Sequence, residues 1–313
     1  VNFIVNDCNC LFHVFSSRPK HLICFKEWTV SMVKDIITSA INLKKTVRDT
    51  HCKKLNILPD CKVTVLLEVN EPTLLLAVSK ASTLLGAQDN IVIDQILWDQ
   101  DYVGKIFSYM SDAIFVSTST HGCLKRFAEQ SRVPVMCMKS RAHSTIQALA
   151  TVMAIQEEFG SLKGLNVSYI GTSDPVLNSY LLLCPMLEAN IKFKCCCDTQ
   201  PISPLLYKAS ADLCSKQNTD MKSCRTNKEA LADSSVVIAG PTDSMEKKQE
   251  FRLKLQDITS STKRWIFFHS CPKGKEVDDE LFFHKNSRTF SSFENMQYIA
   301  AALLANSIKG KLF

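Results

Sequence analysis

The stretch HSTIQALATVMAIQEEFGSLKGLNVSYIG, residues 143–171, decides the fold class. Its apolar residues recur at helical spacing over Ile146–Phe159, with two glutamates on the other side, so the pattern predicts a long amphipathic helix. Gly160 and Gly164 follow, and glycine readily adopts the left-handed conformation that ends a helix. Leu165–Ile170 is then a short apolar run typical of a buried parallel strand. A helix that leads into such a strand through a glycine turn is half of an α/β unit.

The rest of the chain repeats this alternation. The predicted strands are Val63–Leu67, Ile91–Ile93, Ala113–Val116, Val133–Met136, Leu165–Ile170, Ile191–Cys195, Val236–Ala239 and Trp265–His269. The predicted helices are one capped by Thr29 and running through Val47, then Pro72–Leu85, Tyr102–Met110, Leu124–Gln130, Ile146–Phe159, Val176–Leu187, Leu205–Lys216, Met245–Ile258 and Glu294–Ile308. Strands that alternate with helices favour parallel, doubly wound sheets, so the sequence predicts an α/β fold with two similar halves.

The composition is typical of a globular protein. The chain has 313 residues, which suffices for two domains with separate cores. Hydrophobic residues make up 46% and charged residues 22%. The formal net charge is +6, but the lysines and arginines are spread along the chain, so no nucleic-acid partner is expected. No apolar run is long enough to span a bilayer, so no membrane partner is expected either.

The 14 cysteines do not form a CxxC pair anywhere. Cys195, Cys196 and Cys197 are consecutive on a predicted strand, where side chains alternate between faces and cannot all bind one metal ion. We therefore interpret the cysteines as reduced thiols in an intracellular, reducing compartment, and we expect neither a metal nor a cofactor. The alternative is a metal or redox site that combines this run with Cys214 or Cys224.

Several motifs resemble those of the ornithine carbamoyltransferases. They are RFAEQSRVPV (126–135), LATVMAIQEEFGSLKGLNVSYIG (149–171), FHSCP (268–272), EVDDELFF (276–283) and Glu294-Asn295. The resemblance covers nearly the whole chain. It implies two doubly wound parallel-sheet domains joined by two interdomain helices, Ile146–Phe159 and Glu294–Ile308. Ligands are then expected at the carboxyl ends of the strands, where the two domains face each other.

The resemblance also implies domain limits and an assembly. Residues 22–155 with 292–313 correspond to a carbamoyl-phosphate-type domain, and residues 156–291 correspond to an ornithine-type domain. Residues 1–21 are an N-terminal extension, which is either a remnant of a mitochondrial leader or an ordinary extension. Asp7 and the late first basic residue, Arg18, differ from a typical transit peptide, so the location is mitochondrial or cytoplasmic. Because the family trimerises, we expect a homotrimer or a mixed trimer with an active paralogue.

The residues that match the family's phosphate-binding run have lost its arginines. That run is Ser-Thr-Arg-Thr-Arg at a helix start, where backbone amides and the helix dipole assist the arginines. The matching residues are Glu71, Pro72, Thr73, Leu74 and Leu75. There is no arginine between Arg48 and Arg126. We therefore predict an ordinary helix start, with an acidic residue where the phosphate would bind.

The residues that match the carbonyl-polarising groups are also changed. A family arginine corresponds to Ser117, in a hydroxyl run that either binds a small anion or forms a solvated loop. The family motif His-Pro-x-Gln corresponds to Ser144-Thr145-Ile146-Gln147, so only Gln147 is retained. His143 lies one residue early, which on a helix turns the side chain by about 100°. His143 is therefore either a compensating group or a surface or capping residue.

The ornithine-binding motifs are altered in the same way. The family's Asp-x-x-x-Ser-Met segment corresponds to Gly240 and Ser244-Met245, with Asp243 as the nearest acid. The family's asparagine corresponds to Pro175, next to Asp174, and its C-terminal arginine corresponds to Met296. The motif His-Cys-Leu-Pro corresponds to His269, Ser270, Cys271 and Pro272. A shift of the thiol by one residue turns it to the other face of an extended chain.

These changes predict a pseudoenzyme on a carbamoyltransferase scaffold, which acts through binding or assembly. Each lost charge-assisted contact costs about 1.5–3 kcal/mol, and about 1.4 kcal/mol is a tenfold change in rate. One alternative is an active carbamoyltransferase with a rewired site made of Ser117, His143, Gln147 and His269. A further alternative is a small-molecule sensor that kept the cleft and changed its ligand.

Overall fold

Two parallel sheets organise the chain. The computed structural model describes residues 21–93, 100–196, 202–242, 250–260 and 264–310. The strands in these ranges are β1 (Lys62–Leu67), β2 (Gln88–Ile93), β3 (Ala113–Ser117), β4 (Val135–Lys139), β5 (Asn166–Thr172), β6 (Asn190–Cys196), β7 (Met221–Ser223), β8 (Val236–Ala239) and β9 (Ile266–His269). The first sheet has the order β2-β1-β3-β4 and the second has the order β7-β6-β5-β8-β9. Every pairing within them is parallel, which confirms the predicted fold class.

Helices connect the strands and cover the sheets. A short 3-10 helix, Phe25–Glu27, comes first. The α-helices are α1 (Val30–Thr50), α2 (Pro72–Leu85), α3 (Val103–Tyr109), α4 (His121–Gln130), α5 (Thr145–Phe159), α6 (Pro175–Met186), α7 (Pro204–Gln217), α8 (Asn227–Leu231), α9 (Leu255–Thr259), α10 (Asp279–Phe282) and α11 (Thr289–Lys309). Thr29 caps α1 as predicted, because its hydroxyl accepts from the Met32 amide at 3.2 Å. Gly86 ends α2 in the left-handed conformation, with a φ of 84°.

Helix α5 is more deeply buried than its sequence predicts. Every residue from Thr145 to Ile155 is buried except Gln147, which is half-buried, and the exposed residues Glu157 and Glu158 lie in the last turn. The prediction of an amphipathic helix was therefore wrong for most of its length. The reason is that α5 contacts α1, β4, α6 and α11, which leave it no wet face.

One continuous hydrophobic core joins the two sheets. It contains Val65 of the first sheet and Ile191 of the second, together with Leu149 of α5 and Leu303 of α11. Helix α11 follows the second sheet in the chain but packs against α1, α2 and α5 around the first. The chain therefore crosses between the sheets twice, through α5 and through α11.

A polar network joins α1, α5 and α11 inside this arrangement. The Lys44 ammonium lies 2.8 Å from Oε1 of Glu157 and donates to Oδ1 of Asn295 at 2.6 Å. The Asn295 amide donates to Glu157 in turn, at 2.8 Å. The Lys44 side chain is 6% exposed, so these two partners replace most of the water that a cation normally binds.

The predicted helix Met245–Ile258 was wrong over residues 250–254 and was confirmed from Leu255 to Ile258. Residues 243–249 lie outside the described residues, and α9 begins only at Leu255. Before it, Leu253 forms a parallel bridge with Val277, which takes the backbone hydrogen bonds that a helix would need. The apolar residues Phe251, Leu253 and Leu255 alternate along the chain, which is a strand spacing rather than a helical one.

The cysteines only partly follow the prediction of reduced thiols. The free cysteines among the described residues are Cys24, Cys52, Cys61, Cys123, Cys137, Cys184, Cys214, Cys224 and Cys271. Cys195 is disulfide-bonded, so the prediction was wrong at this position. In the described ranges no group of three or more His, Cys, Asp or Glu side chains is arranged to hold a metal ion. No helix in those ranges combines the length and the hydropathy needed to cross a bilayer.

Candidate functional site

An ion pair occupies the position matched to the phosphate-binding run. Glu71 precedes the first residue of α2 and makes no capping hydrogen bond with its side chain. Its Oε1 instead lies 2.5 Å from Nζ of Lys139, at the carboxyl end of β4. The carboxylate of Glu71 therefore has a counterion from a strand of the first sheet. It lies at the helix start, where a bound anion would meet the helix dipole.

The two leucines at this helix start are part of the core rather than the cleft. Leu74 is 2% exposed, and Leu75 is partly buried against the same cluster. Pro72 and Thr73 are exposed. At the two arginine positions of the family run, the first turn of α2 thus offers the exposed Thr73 and the partly buried Leu75.

The hydroxyl run after β3 is directed at a carboxylate. Glu68 accepts hydrogen bonds from the Thr118 hydroxyl, from the Ser119 hydroxyl at 3.0 Å and from the Ser119 amide at 3.2 Å. Ser117 and Thr118 are buried, so the prediction of a solvated loop was wrong for these two residues. The Ser117 hydroxyl has no hydrogen-bond partner among the described residues. Because Glu68 already takes up these donors, the run does not present them to an anion.

Gln147 joins the start of α5 to the second sheet. Its Oε1 accepts from the Ser144 hydroxyl at 3.3 Å, and its Nε2 donates to the carbonyl oxygen of Ser270 at 2.7 Å. The Ser144 amide lies 3.2 Å from the carbonyl oxygen of Pro175, which begins α6. The structure therefore brings Ser144, Gln147, Pro175 and Ser270 together, and the retained glutamine is engaged within the protein.

His143 is buried, so the prediction of a surface or capping histidine was wrong. Its Nε2 lies 3.1 Å from Sγ of Cys24, and its Nδ1 lies 3.4 Å from Oγ of Ser179. Its ring contacts that of His121 edge to face, with centroids 5.4 Å apart. Burial lowers the pKa of His143 to about 3, so the ring is neutral near pH 7.

His269 is fixed by a carboxylate and a backbone amide. Its Nδ1 accepts from the Cys271 amide at 2.8 Å, so Nε2 carries the proton and donates to Oε1 of Glu276 at 2.9 Å. Burial opposes ionisation of Glu276, but hydrogen bonds from His269 and the Gly274 amide outweigh it and lower the pKa of this carboxyl. Burial raises the pKa of the Cys271 thiol. Both ring nitrogens of His269 are thus occupied without a substrate.

The positions matched to ornithine binding have structural roles. Asp174 caps α6, where its Oδ1 accepts from the Leu177 amide at 2.8 Å. Burial raises the pKa of Asp174 to about 6. Gly240 packs so closely that a Cβ there would lie 2.0 Å from the Tyr169 hydroxyl oxygen, so the acidic side chain of the family does not fit. Met296 is 2% exposed, inside the core.

Two predicted site residues, Ser244 and Met245, lie outside the described residues, as does the nearby Asp243. The four residues of the alternative, rewired site do not share hydrogen bonds. The side chains of Gln147 and His269 bond to different partners, and neither bonds to His143 or Ser117.

The sequence analysis did not identify Lys139 or Glu276 as partners of the site residues. Lys139 could have been identified from the sequence. It is a charged residue at the end of the apolar strand β4, and ligands are expected at the carboxyl ends of such strands.

Comparisons with known proteins agree on one family. The sequence model of the aspartate/ornithine carbamoyltransferase Asp/Orn-binding domain matches residues 163–306. The mitochondrial ornithine carbamoyltransferase of Aquarana catesbeiana is 24% identical, over 92% of this chain and 87% of that protein. The mitochondrial ornithine transcarbamylase of Gallus gallus is 22% identical, over 92% of this chain and 86% of that protein.

Solved structures share the fold over nearly their whole length. Ornithine carbamoyltransferase from Pyrococcus furiosus superposes with a TM-score of 0.87 at 19% identity, covering 95% of this chain and 99% of that one. A mitochondrial ornithine carbamoyltransferase from Coccidioides immitis gives a TM-score of 0.83 at 19% identity, covering 93% of this chain and 99% of that one. At these identities the structural likeness concerns the arrangement of the backbone.

Proposed function

Because this chain belongs to the ornithine carbamoyltransferase family, we propose that it is a non-catalytic member of that family, which acts through binding or assembly. The observation that carries the proposal is the ion pair between Glu71 and Lys139 at the start of α2. A phosphate dianion at this helix start meets a carboxylate instead of arginines. To bind, it has to displace Glu71 from Lys139, and it gains no bidentate contact in return.

Two further groups that carbamoyl transfer would use are already engaged. The Gln147 amide donates to the backbone carbonyl oxygen of Ser270, which follows β9, and His269 donates to Glu276. A rewired carbamoyltransferase would have to break these contacts before it could polarise a carbonyl group. These contacts favour the non-catalytic function over the rewired enzyme.

We extend the proposal to the domains and the assembly. The carbamoyl-phosphate-type domain comprises residues 22–155 and 292–313, and the ornithine-type domain comprises residues 156–291. We propose a homotrimer, or a mixed trimer with an active paralogue. Exposed apolar side chains around the edge strand β2 support an assembly: Ile91 is 47% and Ile93 is 65% exposed, and nearby on α3 Ile106 is 47% exposed.

The test of inactivity is citrulline formation from ornithine and carbamoyl phosphate, with carbamoyl-phosphate binding followed by titration calorimetry. We expect neither turnover nor binding. Turnover in the ordinary enzyme range of about 1–10³ s⁻¹ would refute the proposal. Light scattering on the same sample measures the assembly, and a monomeric mass would contradict the trimer.

A matched pair of variants tests the role of Glu71. The triple variant Glu71→Ser, Thr73→Arg, Leu75→Arg removes the carboxylate and restores both arginines, so carbamoyl-phosphate binding becomes measurable. The double variant Thr73→Arg, Leu75→Arg keeps Glu71 and is the control, in which we expect at least tenfold weaker binding, or about 1.4 kcal/mol. Equal affinity of the two folded variants would show that Glu71 does not block phosphate.

A further inference from the structure

A cavity of about 190 Å³ lies between elements that belong to the two sheets. The side of the first sheet contributes the 3-10 helix with Cys24 before it, the start of α4 and the β4–α5 connection. The side of the second sheet contributes α6 and the first half of α7. No position matched to the family's phosphate, carbamoyl or ornithine contacts lines this cavity. The cavity is therefore separate from the inherited cleft.

The inner part of the cavity wall is apolar and uncharged. Leu182 of α6 and His143 are buried there, and Leu206 and Ala209 of α7 are half-buried. Burial lowers the pKa of His143 to about 3 and also lowers the pKa of His121, so both rings are neutral near pH 7. Both ring nitrogens of His143 already have hydrogen-bond partners within the protein. This part of the wall therefore suits the apolar body of a ligand.

The mouth of the cavity carries one positive charge. Lys26 lines the cavity and is exposed, so it lies where the cavity meets water. No Asp or Glu is among the described residues that line the cavity, and Glu27, the residue after Lys26, lies 3.9 Å from Nζ of Lys125 instead. The ammonium group of Lys26 therefore has no acidic partner on the cavity wall.

The start of α7 adds to the positive potential at this mouth. Ser203, the N-cap of α7, lines the cavity, is exposed and makes no capping hydrogen bond with a described residue through its side chain. The first amides of a helix have no partner within the helix, so its start attracts a negative charge. Leu205, in the same turn, also lines the cavity and is 75% exposed. The mouth thus combines a cation, a helix start and an exposed apolar side chain.

We propose that this cavity binds a monocarboxylate with an apolar chain of about six carbon atoms. The chain packs against Leu182 and Leu206, and the carboxylate lies at the mouth, between Lys26 and the start of α7. A cavity of about 150 Å³ lined by apolar side chains holds benzene, so about 190 Å³ admits a body of six carbons. One lysine matches one negative charge, whereas a phosphate dianion would favour the bidentate grip of an arginine. The proposal does not depend on whether the inherited cleft is active.

Hexanoate, hexylamine and acetate are the probes. Hexylamine reverses the charge at the same chain length, and acetate keeps the charge without the chain. Ligand-observed NMR titration of the full chain should show that hexanoate binds, and that each of the other two binds at least about tenfold more weakly. Equal affinity of hexanoate and hexylamine for the natural protein overturns the proposal. Equal affinity of hexanoate and acetate, or no binding of hexanoate, overturns it as well.

A pair of charge reversals locates the carboxylate. Lys26→Glu replaces attraction by repulsion and should weaken the binding of hexanoate at least about fivefold. Lys208→Glu makes the same change of charge at an exposed residue of α7 that does not line the cavity, and the affinity should stay within about twofold. Both positions are exposed, so both variants should keep the fold. Equal effects of the two variants would show that the carboxylate does not lie at Lys26, and would overturn the proposal.

A second pair of variants locates the apolar chain. Ala209→Trp fills the cavity and should abolish the binding of hexanoate, whereas Ala211→Trp, on the same helix but not on the wall of this cavity, should not. Hexanoate that still binds to a folded Ala209→Trp variant overturns the proposal. Where this variant fails to fold, the comparison of the probes on the natural protein and the charge reversals still decide.

Discussion

Gly240 is the residue with the least room for a side chain. A Cβ at this position would lie 2.0 Å from the hydroxyl oxygen of Tyr169, which itself donates to the carbonyl oxygen of Thr172 at 2.9 Å. Gly240→Ala should therefore lower the free energy of unfolding by about 1–3 kcal/mol, as overpacking does. Gly122→Ala is the matched control, since no atom lies within 4 Å of its added Cβ. Urea denaturation measures both, and equal stabilities would contradict this close packing.

Asp174 should make stability depend on pH. Burial raises the pKa of its carboxyl group from 3.8 to about 6, so the folded state binds this proton more tightly than the unfolded state. Protonation of Asp174 therefore contributes to the free energy of unfolding. This contribution is fully present below about pH 4 and is lost as the pH rises through about 6, and it amounts to at most about 3 kcal/mol. Asp174→Asn should remove this decline and keep the cap of α6.

Urea denaturation at intervals between pH 4 and pH 7 is the measurement for Asp174. Asp212→Asn, an exposed carboxylate on α7, controls for the loss of one negative charge. The proposal for Asp174 fails when the profiles of Asp174→Asn and the natural protein run parallel over this range.

Among the secondary-structure elements, α1, α5 and α11 depend on a shared buried cation. Lys44 of α1 reaches Glu157 of α5 and Asn295 of α11. Lys44→Met should lower the free energy of unfolding by about 2 kcal/mol, less than the 3–5 kcal/mol of a fully buried pair, because the Glu157 side chain is 28% exposed. The exposed Lys45→Met should stay within about 0.5 kcal/mol of the natural protein. A similar effect of both changes in thermal or urea unfolding would show that the network contributes nothing.

Elements with strong local signals were predicted from the sequence. The cap at Thr29 and the glycine end of α2 at Gly86 depend on nearby residues, so the structure confirmed them. The short elements β7, α8 and α10 were missed, because three to five residues carry little periodicity. For Met245–Ile258, pairing between Leu253 and Val277 outweighed the local pattern.

Contacts between distant elements were not predictable in the same way. Glu71 and Lys139 are 68 residues apart, and only the parallel order of β1, β3 and β4 brings them together. The burial of α5 on all sides likewise depends on where α11 returns. The loss of the arginines of the phosphate-binding run, in contrast, was predictable from the sequence alone. No arginine occurs between Arg48 and Arg126, and this fact does not depend on the fold.

The whole molecule should unfold in one step. Its main core contains residues of both sheets and of both crossing helices, so neither sheet keeps its packing when the other unfolds. Calorimetry should give a single transition whose calorimetric and van't Hoff enthalpies agree.

Carbamoyl phosphate should leave the Tm of this protein unchanged. A protein that binds its ligand would instead be stabilised by about 2.7 kcal/mol when the ligand is present at about 100 times its Kd. Two resolved transitions, or a ligand-dependent Tm, would contradict these expectations.

The return of α11 also determines how the protein can be divided. A fragment that stops after α5 contains the first sheet but lacks the helix that covers α1, α2 and α5. Expressed alone, that fragment should expose the apolar side chains of α1, α2 and α5 that α11 covers, and it should aggregate. The complementary fragment carries α11 with nothing to cover. Because the two pieces are complementary parts of one core, we expect them to assemble when they are produced in the same cell, which would suit the protein to splitting into a reporter pair.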